Sequence, residues 1–401
     1  MNASLRVLCL DIEGGFGGSS RSLYESIRHL NRRDVAIEVW CRRDGPVRLR
    51  YEALGVACRI VPGLPSMNSL PRWSRNLYGN ARCLMDLLHW KERTELLREI
   101  KERFDLVHFN HEGLWLVAAW LRKRHDKTQT MHVRTLIPDN AFGHWQCRRM
   151  ASAIDQFAFI TENENRNVER QLNTFVSGSV IYNIVARGTH NGRHLAVPDD
   201  SRLKVAVLSN FALVRGTDRV VDIAEALAER GRRDVLFVLA GDMTLSGSLP
   251  GELGRIARPG GTLADHAMKK GVADMFIFLG HVAVPETVLA ACDVLLKPTR
   301  EDNPWGRDIL EGLANGLPVI SIGNYNRFVE TNATGFLLSE YSSHRVAEIL
   351  IRLDADRELT RKLGNNAMAR IASLCNPEAR AADLLALWRK AITMRERKMA
   401  V

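Results

Sequence analysis

Short apolar runs alternate along this chain with longer stretches whose apolar residues recur every three or four positions. Residues 5–11 (LRVLCLD) are the first such run and predict a buried strand. Residues 20–31 come next, with Leu23, Ile27 and Leu30 on one face, the spacing of an amphipathic helix. Residues 35–41 predict a second strand, and 105–109, 130–133, 157–161 and 179–182 predict four more. Strands that are apolar nearly throughout, separated by helical stretches, belong to a parallel sheet covered on both faces.

The rhythm pauses over 185–201, a polar stretch with several Gly, His and Asp residues and one Pro, which predicts a linker. It resumes with a strand at 203–208, a helix at 217–229 and strands at 235–240, 275–279, 294–297 and 318–321. The fold class is therefore α/β, with two doubly wound, Rossmann-like domains at 1–184 and 203–376 and a linker at 185–202. A last helical pattern, 377–393, begins after a break at Asn376 and is expected, with the rest of 377–401, to pack back on the first domain. Residues 65–104 interrupt the first domain. They mix Trp73, Tyr78 and Trp90 with Arg72, Arg75, Arg82 and Lys91, which suits a bilayer interface, although a helix packing its apolar face on the domain has the same periodicity.

Composition agrees with two cores: 401 residues, of which 46% are hydrophobic and 25% charged. The formal net charge is +10, and residues 1–184 carry a surplus of 7 of it. Such an excess favours an anionic partner, whether membrane surface, phosphorylated substrate or nucleic acid, or simply a soluble surface. No RNP, zinc-finger or helix-turn-helix pattern supports nucleic acid. The seven cysteines form no CxxC pair and several sit in apolar runs, so buried thiols in a reducing compartment are expected, with neither a disulfide framework nor a zinc site. The chain runs into its first strand with no signal-peptide pattern and contains no apolar run long enough to span a membrane. A cytoplasmic protein, peripheral at most on the inner face of the plasma membrane, is the expectation.

Three motifs carry candidate chemistry. The turn GGFGGSS (14–20) lies between the first strand and the first helix, where glycines allow close approach of a ligand and a helix start offers free N–H groups; Gly17 is the candidate within it. It is not a clean GxGxxG, and no P-loop lysine succeeds it. The segment VLSNFALVRG (207–216) repeats that placement in the second half, with Asn210, Arg215 and Gly216 before a helix. Arg215, a permanent cation with several donors, suits a diphosphate. The most specific motif is KPTREDNPWGRDILEGLANGLPVI (297–320): a strand end, a polar loop, then a helix that starts near 304–306 and stops at Asn315-Gly316. Glu311 lies four positions after Arg307, so a plain helix ion pair is the simplest reading of those two.

With these residues the chain resembles the retaining glycosyltransferases of GT-B fold, family 4 (glycosyl transferases group 1). Pro298-Thr299, Trp305-Gly306 and Glu311 to Val319 fit that family's strand, paired-Glu and Gly-x-Pro-Val pattern. Phe278 to His281, Ala291 to Val294, Thr334 to Leu337, Val180 to Asn183 and the glycine turn at 14–20 extend the likeness over nearly the whole chain, most strongly from 203 to 338. The resemblance implies two domains facing a central cleft. It implies that Glu311 holds the ribose hydroxyls of a nucleotide donor and that Arg215 grips its diphosphate. The family's second cation falls here on Asn210, and the first Glu of its pair falls on Asn303, with Glu301 and Asp302 beside it. Arg300 or Arg307 are the candidates to replace the missing charge. In the first domain the resemblance points to His132 as a contact to the donor sugar, with Arg134 as a competitor and His108 and His111 as weaker candidates.

The activity implied by the resemblance is that of a hexosyltransferase-like glycosyltransferase. Such an enzyme moves a hexose-type sugar from a nucleoside diphosphate sugar to a glycan or lipid-linked acceptor, with retention, in surface polysaccharide or glycolipid synthesis. No Asp-x-Asp motif occurs, no metal ligands are assigned, and no cofactor is expected beside the substrate. Two alternatives use the same ligand: a GT-B epimerase acting on a nucleotide sugar, and a non-catalytic binding homologue, the latter motivated by Asn210 and Asn303.

Overall fold

The computed structural model describes residues 4–12, 15, 17–64, 66–67, 85, 88–185 and 192–400. The chain divides into two units, Met1–Ile184 with Cys375–Val401, and Val185–Leu374.

The first unit is built on seven strands: β1 (Leu5–Asp11), β2 (Val35–Cys41), β3 (Ala57–Ile60), β4 (Leu106–Phe109), β5 (Thr128–Val133), β6 (Gln156–Phe159) and β7 (Gly178–Val180). They pair in the order β3-β2-β1-β4-β5-β6-β7, every pair parallel. β1 lies between β2 and β4 in register, Asp11 opposite Cys41 and Leu10 opposite Phe109. The winding reverses at β1, so the carboxyl ends of β1 and β4 flank the crevice where open α/β sheets take ligands. β3 has no counterpart in the apolar pattern. Its four residues, ACRI, alternate exposed and half-buried at the sheet edge, too short a run to show a period.

The helix Pro377–Met399 does pack on this unit. Asn376 caps it by accepting from the Ala379 amide at 2.9 Å, and Pro377 occupies its first turn. Ala381, Leu384, Trp388 and Ala391 join the cluster formed by Leu23, Ile27, Val7 and Leu106. Of residues 65–104, the helix Trp90–Arg103 is described, with Leu96 and Ile100 buried. The aromatic and cationic positions 72–82 lie outside the described residues.

The second unit repeats the plan with β8 (Leu203–Leu208), β9 (Val235–Ala240), β10 (Phe276–Gly280), β11 (Val294–Lys297), β12 (Val319–Ile322) and β13 (Gly335–Leu338). The order is β10-β9-β8-β11-β12-β13, again all parallel. Here the reversal falls between β8 and β11. The described part of the expected linker, 192–202, lies on this unit. His194 donates its amide to Thr287 at 3.0 Å, Arg193 reaches the Ala291 carbonyl, and Val197 is buried. Polarity there marks a surface loop tied down through its backbone, which composition alone does not distinguish from a linker. Among the described residues no helix is long and apolar enough to cross a membrane.

Trp388 is fully buried between the last helix and the first sheet. We predict that Trp388→Ala lowers the stability of the first unit by about 3–5 kcal/mol. Urea denaturation monitored by a probe in that unit reads this directly, and an unchanged midpoint would contradict the packing described.

Candidate functional site

In the second unit the chain leaving β8 forms one 3-10 turn, Leu213–Arg215, and then reverses at Gly216, whose φ is +71°. That glycine is required twice over. A side chain is strained at this φ, and a Cβ placed there would lie 1.9 Å from the carbonyl oxygen of Pro298. The turn is thereby pressed against the loop after β11. Arg300 donates its amide to the Val214 carbonyl at 2.9 Å, and Arg219 donates to the Pro298 and Thr299 carbonyls at 3.1 and 2.8 Å. The Arg300 guanidinium grips both carboxylate oxygens of Asp218, at 2.7 and 2.6 Å, and that bond raises its pKa.

The two loops together enclose a cavity of about 350 Å³ at the carboxyl edge of the sheet. Its polar lining comes from Ser209, Arg215, Thr217, Lys297, Glu301, Asn303, Arg307 and Asp308. Lys297 ends β11 and donates to Asp308 at 3.0 Å. Arg307 stands 2.8 Å from a Glu311 oxygen, with both side chains largely buried. Arg215 is exposed and donates to the Ser209 hydroxyl at 3.0 Å; among the described residues it makes no ion pair. The helix Arg307–Ala314 opens on this cavity with Gly306 at its N-cap and no side-chain cap. A Cβ at Gly306 would fall 2.2 Å from the Lys297 ammonium, so the missing side chain is what admits the lysine to the helix start.

Electrostatically, two of the three cations already have carboxylate partners and Arg215 does not. An anion entering beside Arg215 meets that uncompensated charge, a helix start that no side chain caps and a lysine within the same lining. A group carrying two or more negative oxygens fits this arrangement better than an apolar ligand.

The remaining candidates in this half divide between the cavity and its surroundings. Gly216 sets the turn, and Arg215, Arg307, Glu301 and Asn303 reach the cavity. Asn210 does not line it: its side-chain oxygen accepts from the Asp242 amide at 2.9 Å and ties the loops after β8 and β9. Asp302 likewise turns away, accepting from the Asn324 amide at 2.9 Å beyond β12. Arg300, expected as a replacement cation, is engaged by Asp218. Glu311 sits one turn behind Arg307, in the ion pair that its i,i+4 spacing predicts, and is not part of the cavity lining. Lys297 reads in the sequence only as a strand end. Its signal is its position: it ends the strand beside the switch point, where side chains face the crevice.

In the first unit Gly17 is the N-cap of the helix Gly18–His29, whose start has no side-chain cap. Gly14 and Phe16 of the same turn lie outside the described residues. At the carboxyl ends of β1 and β4, Asn110 donates to Asp11 at 3.0 Å, and Arg134 donates to the Asn110 side chain at 2.6 Å and to Asn183 at 3.1 Å. Burial pushes the Asp11 carboxyl pKa up. His132 is buried, with its Nδ1 3.0 Å from Nε2 of His108. His111 accepts from the Gly113 amide and so caps a turn. Neither Asp11 nor Asn110 stands out in the sequence, although Asp11 closely precedes the glycine turn. Among the described residues no three His, Cys, Asp or Glu side chains gather where they could hold a metal ion.

Residues 16–186 match the family Glycosyltransferase Family 4, and residues 196–370 match Glycosyl transferases group 1. An alpha-D-kanosaminyltransferase of Streptomyces kanamyceticus is 25% identical over 193 residues, which span 48% of this chain and 46% of that protein, so the match covers about half of the relative's length. Among solved structures, HepE from Anabaena in complex with UDP and glucose superposes with a TM-score of 0.74 at 18% identity, over 96% of this chain and 100% of that one. Sucrose-phosphate synthase from Thermosynechococcus elongatus superposes with a TM-score of 0.71 at 17% identity, over 97% and 99%. At these identities the superpositions establish the GT-B fold.

The contact at the turn is open to a direct test. Gly216→Ala is predicted to cost about 1–3 kcal/mol, from strain at positive φ added to the clash with Pro298. The denaturation midpoint of the second unit reads the cost, and a neutral effect would show that the two loops are not in the contact described.

Proposed function

As a chain made of these two glycosyltransferase domains in a GT-B fold, the protein is a member of the glycosyltransferases, and we propose that it transfers a hexose-type sugar from a nucleoside diphosphate donor to a glycan or lipid-linked acceptor, with retention. The observation that carries the donor reading is the cavity beside Gly216, where Arg215 has no ion-pair partner among the described residues and a helix start is left uncapped. HepE, which shares the fold, holds UDP and glucose, so UDP is the first nucleotide to try.

In this reading the bond between the anomeric carbon and the diphosphate oxygen breaks, and negative charge grows on the leaving diphosphate. Arg215, Lys297 and the amides at the start of the helix Arg307–Ala314 stabilise that charge from fixed positions. Lys297 is held there by Asp308, so its placement needs no rearrangement. Glu301 and Asn303 are assigned to hydroxyls of the sugar, since both line the same cavity. Retention, the lipid-linked acceptor and a role in surface polysaccharide or glycolipid synthesis rest on the family resemblance. Peripheral contact with an anionic membrane rests on the basic surplus of residues 1–184, and a cytoplasmic site on the seven cysteines without a CxxC pair, which suit a reducing compartment.

Glu311 admits two roles that one experiment separates. By resemblance it holds the ribose. By its 2.8 Å pairing it orients Arg307. If it holds the ribose, Glu311→Ala weakens uridine and UDP alike; if it acts through Arg307, UDP weakens and uridine does not.

Arg215→Ala is predicted to weaken UDP binding roughly 10- to 100-fold while changing uridine binding by less than about 2-fold, the loss of charge-assisted bonds to phosphate. Calorimetric titration of both ligands tests this, and equal losses would contradict the assignment. Turnover is tested by release of nucleoside diphosphate from pure protein. Release that depends on an added acceptor supports transfer. Isomerised nucleotide sugar without such release would support the epimerase alternative, and no turnover of any nucleotide sugar would support a binding protein.

A further inference from the structure

Inside the first unit a line of hydrogen bonds runs from the last helix to the end of β5. Trp388 donates its indole N–H to Nδ1 of His108 at 3.2 Å, 280 residues away in the chain. The Thr130 hydroxyl lies 2.9 Å from the same nitrogen, and Nε2 of His108 lies 3.0 Å from Nδ1 of His132. The rings meet edge-on, with centroids 5.4 Å apart for His108 and Trp388 and 5.1 Å apart for the two histidines. All four side chains are buried.

The donors and acceptors in this line can be assigned from one end. An indole N–H only donates, so Nδ1 of His108 accepts, and the Thr130 hydroxyl at the same nitrogen then donates to it as well. A neutral imidazole that accepts at Nδ1 carries its proton on Nε2, and His108 therefore donates to Nδ1 of His132. His132, accepting at Nδ1, carries its own proton on Nε2. Protonating either ring would set one N–H against another. Burial and the nearby charge of Arg134 oppose protonation as well, holding the His108 pKa down to about 3 and that of His132 well below the usual histidine range. Among the described residues, Nε2 of His132 has no hydrogen-bond partner.

We propose that Trp388 and His108 are positioning residues that lock His132 into the neutral Nε2–H form, so that it offers one fixed hydrogen-bond donor to a hydroxyl oxygen of a sugar bound at the carboxyl edge of the first sheet. The sugar in this statement rests on the glycosyltransferase reading above; the lock itself rests only on the hydrogen bonds. The donor arrives preorganised because its partner nitrogen is already occupied and cannot exchange roles with it. The chain crosses back to the first unit after Leu374, and that return supplies the tryptophan at the head of the line.

The test uses the full-length protein labelled with 15N in its histidine rings. Long-range proton–nitrogen correlation at pH 7, without substrate, should show both His108 and His132 as neutral Nε2–H rings. Trp388→Phe removes the donor that cannot reverse its role and leaves the Thr130 hydroxyl free to donate or accept at His108, so the His132 ring should then show a mixture of tautomers. With UDP-glucose as the probe donor, kcat should fall about tenfold with KM changed less than about 2-fold. His132→Gln, whose amide nitrogen sits near the Nε2 position, should keep more of kcat than His132→Asn. A wild-type His132 with its proton on Nδ1, tautomers unchanged by Trp388→Phe, or equal activity of the Gln and Asn variants would overturn the proposal. Failure of UDP-glucose and every other nucleotide sugar to turn over would overturn the sugar-binding half and the glycosyltransferase reading with it, while the tautomer measurement still decides the lock.

Discussion

The backbone of Gly216 lies against the carbonyl of Pro298, and the charge pattern of the second unit depends on that contact. It joins the loop after β8 to the loop after β11 at the point where the sheet reverses its winding. Arg300 and Arg219 complete the joint by bonding across it, one to Asp218 and one to backbone carbonyls. Two strong cations are thus consumed in architecture. Arg215, one residue before the glycine, faces the cavity with no ion-pair partner among the described residues, so a local constraint on φ decides where unpaired positive charge is available.

The two units solve a shared problem with different chemistry. Both end their first strand on a turn that leads to a helix. The second unit lines its cavity with guanidinium and ammonium groups beside a helix start, and holds two of these cations by pairing Lys297 with Asp308 and Arg307 with Glu311. The first unit instead buries neutral rings whose hydrogen-bond roles are set by a tryptophan. Fixed charge suits a group that gains charge during bond breaking, and a neutral donor suits a hydroxyl whose charge does not change.

Much of this is legible in the chain, for physical reasons. Strands β8 and β9 are buried over nearly their whole length and β1 and β2 over most of theirs, so their apolar runs coincide with the observed bounds. β3 escapes because an edge strand of four residues is neither long nor apolar enough to register. The site is legible where backbone and side chain serve together, as at Arg215-Gly216. It is obscured where identity does not reveal direction: Asp302 and Asn210 carry the right chemistry but spend it on backbone amides of neighbouring loops. Lys297 is hidden for the opposite reason, since a charged residue ending a strand looks like punctuation until a neighbouring glycine is seen to make room for it.

Arg215, Lys297 and the start of the helix Arg307–Ala314 are thus assigned to one diphosphate site, and a crystal structure of the full chain with UDP bound tests that assignment without intermediaries. Diphosphate oxygens are expected within hydrogen-bond distance of the Arg215 guanidinium and of the amides just after Gly306. A nucleotide seated elsewhere, with the cavity beside Gly216 filled only by water, would contradict it.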